Sequence, residues 1–281
     1  MKFYPQIYMR FPGGKDRAVT FSYDDGVEQD ARLIDILNEN GLKATFNLSS
    51  KLFADEGQVW PEGQIHRRLT LSAAQKLYIG SGHEIGFHGC MHGFMDSMPA
   101  NRQAYEIIAD RALLEQQFGG LVRGGAYPFG THSNELVEAL RASGVTYFRT
   151  VHSTHNFEVP QDWLRLNPTC HHDDEKYPEL VDKFLTTKVW ARPLFFYVWG
   201  HAYEFEQFDN WERFEEQAKK LANQENVYYA TNIELYDYIK AFEGLRISCD
   251  GGLIENPWAI PVWFWAEGKT YQINPGERIQ L

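Results

Sequence analysis

The feature that most constrains this chain is an apolar, alternating segment that ends in two adjacent carboxylates. Residues 18–26 read Ala-Val-Thr-Phe-Ser-Tyr-Asp-Asp-Gly, and the valine, phenylalanine and tyrosine alternate as strand residues do. Neighbouring side chains of a regular strand point to opposite faces. Asp24 and Asp25 are therefore better placed to act together where the strand ends and Gly26 lets the chain turn. Paired acids at the carboxyl end of a strand are what a (β/α) barrel needs at its active face.

Strand-like and helix-like segments alternate along most of the chain. Seven alternations occur without an internal hairpin, which predicts an α/β fold with a parallel sheet and crossover helices. After Gly244 the pattern changes to short strands joined by Gly, Pro and Asn turns, so we expect a barrel-forming unit over 1–244 and a small β extension over 245–281 packed on it. The predicted strands are 18–23, 43–48, 83–87, 125–128, 145–151, 194–199 and 227–230.

Charge and composition disfavour several classes of partner. The net charge of −11 disfavours nucleic acid and anionic membrane surfaces as partners. Residues 1–10 contain no long apolar core and no apolar run reaches the length of a membrane span, so we expect a cytoplasmic protein. Three cysteines are too few and too scattered for a disulfide framework. The oligomeric state stays open.

Polar residues follow four of the predicted strands at the point where each strand ends. These segments are 24–26, 86–92, 126–130 and 199–201. Because the carboxyl ends of parallel strands lie on one side of an α/β fold, we expect the four segments to converge. This convergence predicts a single chemical site.

The spacing of two histidines indicates a metal site. His88 and His92 are four residues apart, so on a helical turn they share a face and can bind one ion. Asp25 can supply an oxygen ligand from a neighbouring strand end. Two imidazoles and one carboxylate leave room for water, which is the pattern of a catalytic rather than a structural zinc site. The alternative is a pair of surface or turn histidines.

Two further residues are candidates for proton transfer. Asp24 does not need to bind metal and can accept a proton from metal-activated water; its alternative role is to cap the next helix. His201 follows an aromatic strand and can protonate a leaving nitrogen or oxygen. Its alternative role is that of a core histidine, which its position at a strand end argues against.

Taken together, these segments resemble the polysaccharide deacetylases, carbohydrate esterase family 4 with its NodB homology domain. The T-F-D-D-G motif of that family corresponds to residues 20–26, with two residues added before the acids. The H-[ST]-x-x-H motif matches residues 88–92, with Gly89 at the Ser/Thr position. R-x-P-Y falls on residues 126–129, and an apolar strand leading to a histidine matches 198–201. The resemblance extends over about 18–242.

The resemblance implies a distorted (β/α) barrel of about seven parallel strands and one divalent metal ion, usually zinc. Cobalt, nickel and iron accept the same ligands. It implies the roles argued above, with Asp24 as base, Asp25, His88 and His92 as ligands and His201 as acid. The expected reaction is removal of an acetyl group from an N-acetylated sugar, so the expected partner is a carbohydrate or another small-molecule substrate.

The same resemblance suggests residues that contact the substrate. The backbone N–H of Phe129 would join the metal in stabilising the oxyanion. The other candidates are Tyr127, Trp199, His171 and Arg149.

The chain departs from the family pattern at two motifs. Ala126 stands where the family has an arginine that orients the base, and Arg149 and Arg123 are candidate replacements. The fourth motif, D-x-x-D-W, survives only as a weak echo at 162–163. In its place stands a loop with His171 and His172, which either reach the site or remain exposed.

Two alternative functions follow from these departures. Altered motifs with an unchanged centre are consistent with a related hydrolase of a non-sugar amide, such as a ureide or formamide. The missing arginine is consistent with a carbohydrate-binding protein that keeps the metal and lacks turnover.

Overall fold

Strand and helix alternate from Arg17 to Glu243 in the computed structural model, which describes residues 6–281. Residues 1–5 lie outside the described residues, and they form half of the segment 1–10 that was predicted to have no long apolar core. The strands are β1 (Tyr8–Arg10), β2 (Arg17–Asp24), β3 (Ala44–Leu48), β4 (Glu84–Phe87), β5 (Gly124–Ala126), β6 (Tyr147–Arg149), β7 (Cys170–His171), β8 (Leu194–Gly200), β9 (Val227–Tyr229), β10 (Arg246–Ile247), β11 (Leu253–Glu255), β12 (Val262–Ala266), β13 (Lys269–Ile273) and β14 (Arg278–Gln280).

The helices lie between the parallel strands. They are α1 (Asp30–Glu39), α2 (Leu71–Tyr78), α3 (Ala100–Phe118), α4 (Asn134–Ala142), α5 (Tyr177–Thr186), α6 (Ala202–Gln207), α7 (Trp211–Leu221) and α8 (Asn232–Glu243), with 3-10 turns at Pro12–Gly14, Met95–Ser97, Pro128–Gly130 and Trp163–Arg165. Hydroxyl groups cap several helices in the usual way: Ser133 Oγ accepts from Leu136 N at the start of α4. Thr70 caps α2, where its side chain accepts from Ala73 N. No helix in the described part of the chain is long and apolar enough to cross a membrane.

A curled sheet of parallel strands forms the centre of the fold and confirms the predicted distorted (β/α) barrel. Its order is β6-β5-β4-β3-β2-β8-β7, and β9 also pairs with β2. Every residue of β2 is buried. β9 pairs with the first half of β2 and β3 pairs with the second half, while β8 lies along the other side. β2 is therefore the strand on which the barrel is built, and its last residue is Asp24.

Two elements near the site were not predicted from the sequence. β7 is only two residues long and pairs in parallel with β8. It raises the number of strands in the parallel sheet from the predicted seven to eight. The six-residue helix α6 begins immediately after His201. Both are too short to produce a readable periodicity.

The segment after Gly244 forms two small antiparallel sheets. One contains β10, β11 and β14, and the other contains β12 and β13 together with β1 from the opposite end of the chain. Their apolar side chains form a separate cluster that includes Ile254, Val262 and Phe264 and packs on Ala241 and Leu245. The β extension is therefore completed by a strand that precedes the barrel.

Candidate active site

The carboxyl ends of four barrel strands bring the predicted side chains together. Asp24 ends β2 and lies at the centre, because His88 Nε2 is 3.6 Å and His201 Nε2 is 3.9 Å from its Oδ2. Arg149, the last residue of β6, forms an ion pair with the same oxygen. Asp24, His88 and Arg149 are all buried. The convergence expected from the strand ends is present in the structure.

Three side chains could hold one divalent cation. Asp25, His88 and His92 each offer one ligand atom, and all of these atoms lie within 4.8 Å of one another. The Nε2 atoms of the two histidines are 3.1 Å apart. His88 Nδ1 is 2.8 Å from the Ala126 carbonyl oxygen and donates to it, which leaves Nε2 as the nitrogen with a free lone pair.

The protonation of these groups favours a cation between them. Burial lowers the pKa of His92 to about 4, with a further contribution from His88. Burial also lowers the pKa of His88. Both imidazoles are therefore neutral near pH 7, as metal ligation requires. Two unprotonated nitrogens facing each other beside an ionised carboxylate fit a divalent ion well.

The carboxylate of Asp25 is held by two residues that were not among the predicted site residues. Arg68 donates to Asp25 Oδ1 at 2.8 Å and to its carbonyl oxygen at 2.7 Å. His66 Nε2 lies 3.1 Å from Oδ2. Burial alone would raise the pKa of Asp25, but His66 and Arg68 outweigh it and hold the pKa well below its usual range. Both residues come from the long segment between β3 and α2, and pairing of Arg68 with Val27 brings them to the site.

Three residues of this site adopt backbone conformations that side chains rarely adopt. Asp25 has φ of 84°, His92 has 49° and Phe129 has 58°. Such conformations cost about 1–3 kcal/mol each and persist where the surroundings over-determine them. The turn at Asp25 lets consecutive aspartates serve one site although strand residues alternate.

Asp24 is buried, yet it remains ionised. Asn47 Nδ2 donates to its Oδ1 at 2.8 Å, and Arg149 occupies Oδ2. Burial would raise the pKa of Asp24, but Arg149 first and then the nearby histidines lower it below the usual value. Arg149 also lies over the Trp199 ring at 4.4 Å. Arg123, the other candidate partner, instead pairs with Asp237 at the surface, so that alternative was wrong.

The turn that carries His88 is anchored by carboxylates on α3. Asp110 accepts from Ser50 N at 2.9 Å and from His88 N at 3.2 Å. Glu106 accepts from Cys90 N at 3.2 Å. Cys90 itself is buried and does not join the three candidate ligands. Helix α3 therefore fixes the backbone of the histidine motif.

The remaining predicted substrate residues differ in their placement. Phe129 is half exposed at the rim, with its ring 4.4 Å from that of His92. Tyr127 is buried and its hydroxyl donates to the Leu164 carbonyl at 2.7 Å, so its polar group is occupied structurally, and its contact with substrate stays a prediction. Trp199 lies beneath Arg149 and 4.7 Å from the His171 ring. Asp162, the weak echo of the fourth motif, caps the 163–165 turn.

The geometry defines a distorted (β/α) barrel that has three candidate cation ligands beside a buried, ionised aspartate. Residues 12–148 match the family model described as Polysaccharide deacetylase. This match spans just under half of the chain, so the chain is similar to this family, whose members are hydrolases.

Solved structures share the fold at low sequence identity. A putative polysaccharide deacetylase from Mycobacterium smegmatis is 15% identical with a TM-score of 0.57, covering 86% of this chain and 96% of that one. The Xyl-CE4 domain of a multidomain xylanase from the hindgut metagenome of Trinervitermes trinervoides is 17% identical with a TM-score of 0.53, covering 80% and 92%. No curated protein matches this chain.

Proposed function

We propose that this chain is a metal-dependent deacetylase that removes acetyl groups from N-acetylated sugars. The observation that carries the proposal is the position of Asp24. It is buried and ionised, and it lies between the three candidate metal ligands and His201. A base and an acid on either side of a cation site are the groups that amide hydrolysis requires.

Each residue has a role that follows from its position. Asp24 takes a proton from the water that attacks the acetyl carbon, and Arg149 keeps that carboxylate ionised until then. The backbone N–H of Phe129 donates to the carbonyl oxygen as it gains negative charge. His201 gives a proton to the sugar nitrogen as the carbon–nitrogen bond breaks, which releases acetate and a free amine.

Asp25, His88 and His92 would hold the ion, with zinc, cobalt, nickel and iron all compatible with this donor set. A bound divalent ion would supply Lewis acidity to the carbonyl oxygen and to the attacking water. His66 and Arg68 keep the Asp25 carboxylate in place for it.

Exposed aromatic rings at the rim support a sugar substrate. The rings of Phe94 and Phe129 are stacked with centroids 4.1 Å apart, and each side chain is about half exposed. An apolar surface next to His92 suits the C–H face of a sugar ring, whose own hydroxyls remain solvated. The same surface would accept other planar, weakly polar groups.

The position of Arg149 bears on the alternative functions. A binding protein without turnover was suggested only by the missing arginine at position 126, and Arg149 supplies a guanidinium to Asp24 from the neighbouring strand. That reading therefore loses its support. A related hydrolase of a non-sugar amide retains the same groups and differs only in substrate.

The deciding experiment is acetate release from N-acetylglucosamine oligomers by metal-replete protein. We expect activity that is abolished by chelation, restored by added divalent metal and lost in Asp24→Asn. A panel of ureides and formamides is assayed in parallel. Faster turnover of one of these amides would assign the substrate class differently, and inactivity on every acetylated substrate would refute the proposal.

A further inference from the structure

A second cluster of titratable side chains lies on the Nδ1 side of His201. Its centre is one carboxylate oxygen, Glu204 Oε2. His171 Nε2 is 3.1 Å from this oxygen, His201 Nδ1 is 3.2 Å away and His172 Nε2 is 3.5 Å away. The backbone N–H of His201 donates to the same oxygen at 2.9 Å. Glu204 belongs to α6, so the helix that begins after His201 returns a carboxylate to its ring.

The hydrogen bonds of His171 fix which of its nitrogens carries the proton. The backbone N–H of Asp173 donates to His171 Nδ1 at 3.1 Å, so Nδ1 acts as an acceptor. In a neutral imidazole the other nitrogen is then protonated. The nitrogen that carries hydrogen, Nε2, is therefore the one that lies 3.1 Å from Glu204 Oε2.

The same carboxylate lies on the Nδ1 side of His201, 3.2 Å from that nitrogen. Its negative charge favours the tautomer with hydrogen on Nδ1, which leaves Nε2 to gain and lose a proton. Nε2 faces Asp24 at 3.9 Å. The ring also lies near three other rings, with centroid distances of 5.2 Å to Tyr203, 5.7 Å to Trp199 and 6.5 Å to His171.

A second metal ion is the competing interpretation of this cluster, because His171, His201 and Glu204 offer ligand atoms within 4.8 Å of one another. An ion on His171 Nε2 would have to displace the proton from an imidazole whose Nδ1 already accepts a hydrogen bond. The ring would then carry its hydrogen on Nδ1, lose the hydrogen bond from Asp173 N–H and point one hydrogen at another, whereas contact with Glu204 requires no such change. The observed contacts therefore favour a hydrogen-bonded carboxylate.

The surroundings of the carboxylate hold it in one place. His172 is buried, and its ring lies 4.1 Å from that of Phe205 and 5.7 Å from that of Tyr23, nearly parallel to both. A Cβ on Gly200 would lie 2.0 Å from His172 Nδ1, so glycine is needed there for the ring to approach. Burial keeps the pKa of His172 well below its usual value, so it adds no charge beside Glu204.

We propose that Glu204 is the positioning residue for His201, with His171 as its second hydrogen-bond donor. This role rests on the proposed function, in which His201 is the acid. Glu204 holds the imidazole with Nε2 toward Asp24 and stabilises its protonated form. His171 in turn holds the carboxylate, so β7 and α6 together support the His201 ring.

The first test compares Glu204→Gln with Glu204→Asp and with Glu206→Gln, a control on the same helix whose carboxylate pairs with Arg67 at the surface. We expect Glu204→Gln to lower kcat about 10- to 100-fold with KM within about twofold, since only proton delivery is affected. Glu204→Asp should recover part of the loss because it keeps the charge, and Glu206→Gln should match wild type. Wild-type kcat in Glu204→Gln, or no recovery in Glu204→Asp, would overturn the role.

The second test does not depend on turnover. Nitrogen-15 spectra of histidine-labelled protein, with the His201 signal assigned by its loss in His201→Gln, report the tautomer directly. Hydrogen on Nδ1 in wild type and a mixed tautomer in Glu204→Gln support the role even if the substrate proposal fails. An unchanged tautomer overturns it. Metal content is measured on the same samples: two ions in wild type and one in Glu204→Gln would assign the cluster to a second metal site instead.

Discussion

Replacing Arg149 with methionine should weaken both the fold and the base. The guanidinium is fully buried and faces an aspartate that is itself 2% exposed. An opposite charge at this range lowers a carboxyl pKa by about 1–3 units, which corresponds to about 1.4–4 kcal/mol of stability at neutral pH. Removing one partner of a buried pair is independently expected to cost about 3–5 kcal/mol. Methionine keeps apolar volume over Trp199, so the loss should come mainly from the charge.

The pH dependence of this effect has a definite sign. The pKa of Asp24 is lowered in the folded state, so its contribution to stability is present above the unfolded pKa, about 3.9, and is lost as pH falls through the folded value. The difference in urea-unfolding free energy between wild type and Arg149→Met should therefore be largest near pH 7 and shrink below about pH 4. In folded protein kcat should drop about 100-fold or more.

Two variants separate charge from packing. Arg123→Met removes the exposed pair with Asp237 and should change unfolding by no more than about 1 kcal/mol, with kcat unchanged. Ala126 is directly paired with Arg149 across β5 and β6, so the double variant Ala126→Arg with Arg149→Met returns the guanidinium to the family position. It should recover part of the lost kcat. A folded Arg149→Met with wild-type kcat and an unaltered pH profile would refute the reasoning.

Three further predictions follow from other contacts. His66→Ala removes a hydrogen-bonding partner of Asp25 and should weaken metal binding about 10- to 100-fold in chelator competition; unchanged affinity would show that His66 does not support the ligand. Burial raises the pKa of Asp30 to about 7, so its buried charge costs stability as pH rises from about 4 to 7. The unfolding free energy of Asp30→Asn relative to wild type, measured in urea, should therefore rise by about 1.4 kcal/mol per pH unit across that window. A difference that stays constant with pH would contradict this. Phe94→Ala should raise KM for an oligosaccharide about 2- to 10-fold with little change in kcat, whereas an unchanged KM would remove Phe94 and Phe129 from the substrate surface.

The parts of the site that could be predicted from sequence lie directly at strand ends. Asp24, Asp25, His88 and His201 each follow a recognisable apolar strand, and parallel topology alone requires those ends to meet. The barrel could be predicted for the same reason, since strand–helix alternation leaves few other arrangements. Element ends moved by one or two residues without changing which residues converge.

The parts that could not be predicted depend on register or on short segments. Arg149 and Arg123 were equal candidates until strand pairing placed Arg149 opposite Ala126 and sent Arg123 to the surface. His66 reaches Asp25 from a long connection whose path has no sequence periodicity. Glu204 lies on a helix of six residues, below the length at which a pattern can be recognised.

The alanine at position 126 shows that the barrel requires a positive charge beside Asp24 but does not require it to come from one particular strand. A carboxylate at the end of β2 needs a buried positive charge within contact distance, and side chains on adjacent parallel strands at the same level share a face of the sheet. Arg149 on β6 can therefore place its guanidinium at Asp24, as an arginine at position 126 on β5 would. The small side chain of Ala126, which pairs with Arg149, leaves room for it. The proposed metal ligands have no such freedom, since three donor atoms can bind one ion only where they meet at one point. A sequence can thus lose a motif arginine and keep its charge in place, and we expect Ala126 to tolerate larger residues only when Arg149 is shortened.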